Sequence, residues 1–133
     1  MQRCSPKHSR FEASMSPKSA RAADYLGHIL QAIARIERYT ADLDEIAFLK
    51  DELVQDGVIR NFEVIGEASR NIERHCPEFA AEHRDLPLLN AYEMRNALAH
   101  GYFRVDLEIV WKTIETDLPA LRQRIETLLE TLK

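Results

Sequence analysis

Glycine and proline are scarce, with four and five among 133 residues. Breakers this sparse, with little β-branched alternation, exclude a sheet-rich fold built on many turns. Cysteine occurs only at Cys4 and Cys76. These make neither a C-x-x-C pair nor a disulfide framework, so a stapled secreted domain is excluded and a reducing cytoplasmic setting is expected. No apolar run approaches the roughly 18 residues of a membrane span, and there is no secretory apolar stretch. His75, Cys76 and His83 lie close in sequence, but their spacing matches no common zinc pattern. No metal and no cofactor are expected. Cys76 extends the apolar stripe of its helix and reads as a small core residue.

Charged residues make up 30% of the chain, and Leu, Ala, Glu and Arg are common. This composition points to an all-α domain. One domain is the expectation at this length, which is enough to bury a core without staples. Charge is unevenly placed. Residues 1–21 hold five basic side chains (Arg3, Lys7, Arg10, Lys18, Arg21) against Glu12. Residues 22–133 hold 13 basic and 21 acidic side chains, a net of −8. Such a domain is a poor general binder of nucleic acid, because non-specific affinity comes from neutralising phosphates. Action on RNA would need a local basic cleft. The acidic surface suits a basic partner.

Residues 1–18 are rich in Ser, Pro and basic side chains without a clean period. They read as a flexible basic tail, within which Met15 offers a second start; a transit peptide is the weaker reading. Residues 19–133 read as the folded domain. The first helix is predicted from about Ser19 to Tyr39, with Tyr25, Ile29, Ala32 and Ile36 as its stripe and Leu26, Leu30 and Ile33 widening it. A break at 40–44 precedes a short helix capped by Asp44. A long helix follows from about Asp51 to His75, with Val54, Val58, Phe62, Ile65, Ser69, Ile72 and Cys76 in steps of three and four. Pro77 is expected to stop it, leaving a turn at 78–82 and a loop at 83–85. Pro87 opens another helix. The last segment, with Asp106 as N-cap, carries Leu107, Trp111, Ile114, Leu118, Leu121, Ile125, Leu128 and Leu132 in heptad-like spacing. Pro119 predicts a kink or two abutting helices, with Asp117 capping the second. The stripe reads first as core packing and second as an oligomer seam.

The most chemical stretch is Arg95-Asn96-Ala97-Leu98-Ala99-His100-Gly101-Tyr102-Phe103, of the form R-x-x-x-x-H-x-Y. A guanidinium grips phosphate with two parallel hydrogen bonds. An imidazole moves protons near neutral pH. Gly101 is a helix C-terminal signal that places His100 on a last turn. Asn96 and His100, four apart, share a helix face, whereas Arg95 and His100, five apart, differ by about 140°. Arg95 reaches the imidazole only if the chain bends at Gly101 or a second protomer completes the site. Tyr102 lies beside them as a phosphate ligand or a modifiable hydroxyl. Taken alone, such a cluster is as compatible with a structural role. Glu63 and Glu67 share a helix face with Arg60 and Arg70, either as an ion-pair-laced surface or as the border of a cleft. Gly66, mid-helix, suggests a close helix approach.

Taken together, Arg60-Asn61-Phe62-Glu63-Val64-Ile65-Gly66-Glu67-Ala68, the Arg95–Phe103 stretch, Val105–Trp111 and Asp117-Leu118-Pro119 resemble the HepT-like toxins of the HEPN superfamily. The resemblance covers roughly residues 20–132. It implies an up-and-down helical bundle of the HEPN type that forms a homodimer. It implies a metal-independent endoribonuclease toxin that cleaves RNA at the dimer cleft. Arg95 and His100 would be the catalytic pair, Asn96 their support, and Tyr102 the tyrosine adenylylated by an MntA-type nucleotidyltransferase antitoxin. The alternative within the superfamily is a non-catalytic binding module that partners a minimal nucleotidyltransferase.

Overall fold

The computed structural model describes residues 17–86 and 106–132. Six α-helices make up the described chain, and no strand occurs among these residues. They are α1 (Pro17–Thr40), α2 (Glu45–Lys50), α3 (Glu52–His75), α4 (Pro77–Glu82), α5 (Leu107–Lys112) and α6 (Leu118–Leu132). Residues 1–16 of the predicted tail, the helix predicted to open at Pro87 and the Arg95–Phe103 motif lie outside the described residues, while residues 17 and 18, also assigned to the tail, begin α1.

Helices α1 and α3 form the spine. Apolar side chains recur every three or four residues on each, so each presents one continuous stripe to the other. On α1 the buried line is Ala22, Leu26, Ile29, Ala32, Ile33 and Ile36. Ile29, Ala32 and Ile36 hold the predicted line, while Tyr25 and Leu30 flank it, half-buried. On α3 the buried line is Val58, Phe62, Ile65, Ser69 and Ile72, continued by Cys76. The two run antiparallel: Tyr25 near the start of α1 stacks on His75 at the end of α3. At the other end Tyr39 lies against Gly57, where an added Cβ would sit only 3.1 Å from the ring. Gly66 is buried in α3.

Aspartates start the helices as their side-chain chemistry dictates. Asp44 accepts from the Ala47 N–H at 2.8 Å and opens α2 as predicted. Asp51 accepts from the Val54 N–H at 3.1 Å and opens α3. Asp106 accepts from the Glu108 and Ile109 N–H groups and opens α5. Buried polar side chains are satisfied locally. Thr40, Asn61 and Ser69 each donate to the carbonyl four residues back, and Gln55 donates to the Phe48 carbonyl at 2.9 Å.

Two predicted breaks take a different form. Pro77 ends α3 but also occupies the first turn of α4, so residues 78–82 are helical rather than a bare turn. Proline has no N–H to lose at that position, and its fixed φ suits a helix start. Around Pro119 there is no second start capped by Asp117. The helix passes through a π turn, Thr113–Asp117, in which the Leu118 N–H bonds the Thr113 carbonyl five residues back. The widened turn makes room for a ring that would collide with the carbonyl four residues earlier. Thr113 and Thr116 donate their hydroxyls to the Ile109 and Lys112 carbonyls, and the Asp117 carboxylate accepts from Thr116.

The heptad-like C-terminal stripe is core. Trp111, Ile114, Leu118, Leu121 and Ile125 are buried within the monomer. Leu107, Leu128 and Leu132 pack half-buried against them. Trp111 also meets Phe48 of α2 at 5.2 Å between ring centroids.

Candidate functional site

The face of α3 singled out in the sequence is solvent-facing and borders a groove. Arg60, Glu63, Val64, Glu67 and Ala68 line it from α3, and His28 lines it from α1, enclosing roughly 340 Å³. The residues share a face because they recur at intervals of three and four on one helix. The Arg60 guanidinium lies 3.6 Å from the Glu63 carboxylate, with the arginine side chain 73% exposed. An ion pair this wet contributes little to stability. It leaves both charges available for a ligand at small cost.

His28 was not singled out in the sequence. Lone histidines on a polar helix flank carry no spacing signal, and only the α1–α3 packing brings this one opposite the glutamates. Its neighbour Gly27 hints at the open side, since a Cβ there would meet nothing within 4 Å.

A second groove, roughly 400 Å³, lies between the end of α3 and the turn after α4. Glu73, Pro77, Ala80, Ala81, His83, Arg84 and Leu86 line it. His83 lies against the Phe79 ring at 4.3 Å. His75 packs instead on Tyr25. The two histidines near Cys76 therefore serve as ring partners. Among the described residues no three His, Cys, Asp or Glu side chains converge as a metal site.

Cys76 is buried, as its place on the stripe predicted. Burial pushes its thiol pKa above the ordinary value, and the Arg21 charge only partly offsets this. A thiol held protonated is a poor nucleophile.

Arg95, Asn96, His100 and Tyr102 lie outside the described residues. The described scaffold offers, on the sequence-predicted face, a groove with an imidazole, a guanidinium and two carboxylates. Such groups can hold a polar, partly charged ligand and exchange protons with it.

Residues 29–128 match the family model described as "Ribonuclease HepT-like". Over 105 residues the chain is 41% identical to the "Probable ribonuclease HepT" of Thermococcus cleftensis, covering 79% of this chain and 93% of that protein. It is 40% identical over 108 residues to the "Gamma-glutamylcyclotransferase and putative RNase" of Methanocaldococcus jannaschii. That alignment covers 81% of this chain and 47% of the relative, so the chain spans about half the length of that protein. A "Putative RNase" of Caldanaerobacter subterraneus is 32% identical over 109 residues, covering 82% of this chain and 95% of the relative. No solved structure matches the chain.

Proposed function

The chain belongs to the Ribonuclease HepT-like family, and from that premise we propose that it is an endoribonuclease toxin in which Arg95 and His100 are the catalytic pair. Family membership over residues 29–128 is the observation that carries this reading. An intact R-x-x-x-x-H-x-Y stretch, Arg95 to Tyr102, supports it.

The chemistry asks for a base, an acid and a phosphate anchor. The base takes the proton of a ribose 2′-hydroxyl, whose oxygen attacks the adjacent phosphorus. The O2′–P bond forms as the P–O5′ bond breaks, and the acid protonates the departing 5′-oxygen. His100 of each protomer in a homodimer fills one of the two proton-transfer roles, or one His100 fills both in turn. Arg95 offsets the charge growing on the non-bridging oxygens. Asn96, four positions before His100 in the sequence, orients the imidazole or a substrate oxygen. No metal is required for these steps, and the setting proposed is the cytoplasm.

Control falls to Tyr102. An MntA-type nucleotidyltransferase antitoxin would use ATP, joining the Tyr102 oxygen to the α-phosphorus as pyrophosphate leaves and the phenolic proton passes to a base. The added phosphate then competes for Arg95 and repels incoming RNA.

The test is cleavage of single-stranded RNA by purified protein in excess chelator. Activity is expected to persist there and to fall at least about 10²-fold in His100→Ala, the usual scale for an acid–base group. Strict magnesium dependence, or full activity in His100→Ala, overturns the reading. A second reading, a non-catalytic binding module, is favoured by the net −8 of residues 22–133. It predicts RNA or partner binding with no cleavage under any condition.

A further inference from the structure

All the large apolar side chains exposed among the described residues sit at one end of the bundle. Leu53 is 83% exposed, Ile46 65%, Ile109 57% and Tyr39 37%. Tyr39 ends α1, Leu53 begins α3, Ile46 lies on the connecting α2, and Ile109 lies on α5, which packs against α2. The core is filled beneath them: Phe48, Val58, Val110 and Trp111 are buried. Ile46, Leu53 and Ile109 are therefore not incompletely packed core; they point outward from a closed end, beside a Tyr39 ring that lies against Gly57. Scattered single exposures need no explanation, but a cluster at one place does.

The same end carries the charge. Residues 41–56 hold six acidic side chains (Asp42, Asp44, Glu45, Asp51, Glu52, Asp56) against Lys50, a net of −5. Residues 106–117 hold Asp106, Glu108, Glu115 and Asp117 against Lys112, a net of −3. Together they sum to −8, in a chain whose total is −4. Three of the acids cap helices, but the rest are not needed for that.

An apolar centre with an acidic rim selects its occupant. RNA is repelled, because its backbone repeats the sign of the rim. A second copy docked through the same face would bring two fields of −8 together, at a cost that symmetric contact cannot avoid. Among the described residues the α2–α3–α5 end has only helices and so offers no free strand edge to extend. We infer that this end is a docking face for a partner protein presenting a basic amphipathic helix: Leu, Ile or Phe at helical spacing to cover Ile46, Leu53 and Ile109, flanked by Lys and Arg to meet the acids. The inference does not depend on the ribonuclease reading.

The experiment uses the full chain and a labelled 20-residue amphipathic peptide with Leu on one face and Lys on the other. Fluorescence anisotropy is followed at low and high salt. The expected result is saturable binding that weakens at least ten-fold in Ile46→Ser/Leu53→Ser and at least ten-fold between 50 and 500 mM salt, while a Glu-for-Lys peptide does not bind. Circular dichroism checks that the double variant keeps its helices; as both side chains lie in solvent, it should. Asp42→Lys/Asp56→Lys, which touches no cap, supplies a second variant and should also weaken binding.

Several results would overturn the inference. One is no binding of the basic peptide, and another is equal binding by the double variant. A third is competition by a single-stranded oligonucleotide that is itself weakened by Ile46→Ser/Leu53→Ser, which would make the face a nucleic-acid surface. A fourth is wild-type self-association lost in the double variant, which would make the occupant a second copy. A fifth is a ten-fold gain in peptide affinity on deleting residues 1–16, which would make the chain's own basic tail the occupant.

Discussion

At the scale of single residues, Arg95 and His100 do different work, and substitutions should separate them. Lysine keeps the charge at 95 but loses the planar fork that grips two phosphate oxygens. Arg95→Lys is therefore expected to recover less than a tenth of the wild-type cleavage rate, measured on a single-stranded oligonucleotide. Recovery of full rate would reduce Arg95 to a point charge. Tyr102→Phe should cleave RNA yet take up no AMP from ATP and the nucleotidyltransferase, as read by mass spectrometry; an adduct on another residue would remove Tyr102 from the switch. Cys76 makes a quieter prediction. Its folded-state pKa is raised by burial. The native thiol therefore keeps its proton where the unfolded one loses it, and unfolding releases protons as pH rises past the ordinary thiol value. Stability should fall across that alkaline window and be unaffected by this group below it. Cys76→Ala should flatten that part of the curve in denaturant titrations at several pH values, whatever it costs in packing.

At the scale of elements, two substitutions on the spine should move stability in opposite directions. Asp51 joins α2 to α3 and accepts from the Val54 N–H. Asp51→Ala should cost about 1 kcal/mol, the typical value of an N-cap, and lower the melting temperature by a few degrees. Gly27 sits within α1 with nothing near a prospective Cβ. Gly27→Ala should stabilise by roughly 0.5–1 kcal/mol, since alanine restricts the unfolded chain and suits a helix. A loss on Gly27→Ala in thermal melts would show that something packs against α1 there in solution, a second protomer included. Gly57 is the contrasting case. Its prospective Cβ lies 3.1 Å from the Tyr39 ring, so alanine there forces an aromatic side chain to move.

At the scale of the whole molecule, the proposed composite cleft requires two copies. Sizing combined with light scattering should give a dimer at micromolar concentration, and mixing His100→Ala with Arg95→Ala protein should restore part of the activity if each protomer lends one group to a shared site. A stable monomer that still cuts RNA would place all the chemistry in one chain. The C-terminal stripe is largely occupied within the monomer. Its central residues are spent on the monomer core, where Ile125 is fully buried. Ile125→Ala should cost about 2–5 kcal/mol, as large-to-small changes in a packed core do. Cleavage should slow as salt rises, because the cleft's few cations carry the phosphate contacts.

The sequence by itself determined the helices. Period-3.6 stripes, three capping aspartates and well-spaced prolines place α1, α2, α3 and α5 within a residue or two, because these signals act through local backbone chemistry. The same locality made the motif legible: Arg95, Asn96, His100 and Tyr102 lie within eight consecutive positions, and the flanking blocks carry the family resemblance. Tertiary structure decided what depends on distant partners. Pro119 announces a break, yet the chain passes it through a π turn that makes room for the proline ring, and Trp111, Ile114 and Leu118 are all buried. Heptad spacing is shared by an oligomer seam and a core helix, and only packing against α1 chose the core. His28 gained its neighbours across the α1–α3 interface, which no one-dimensional spacing encodes. The exposed apolar corner arose in the same way, since Tyr39, Ile46, Leu53 and Ile109 are spread over 71 positions and meet at one end only when the bundle closes.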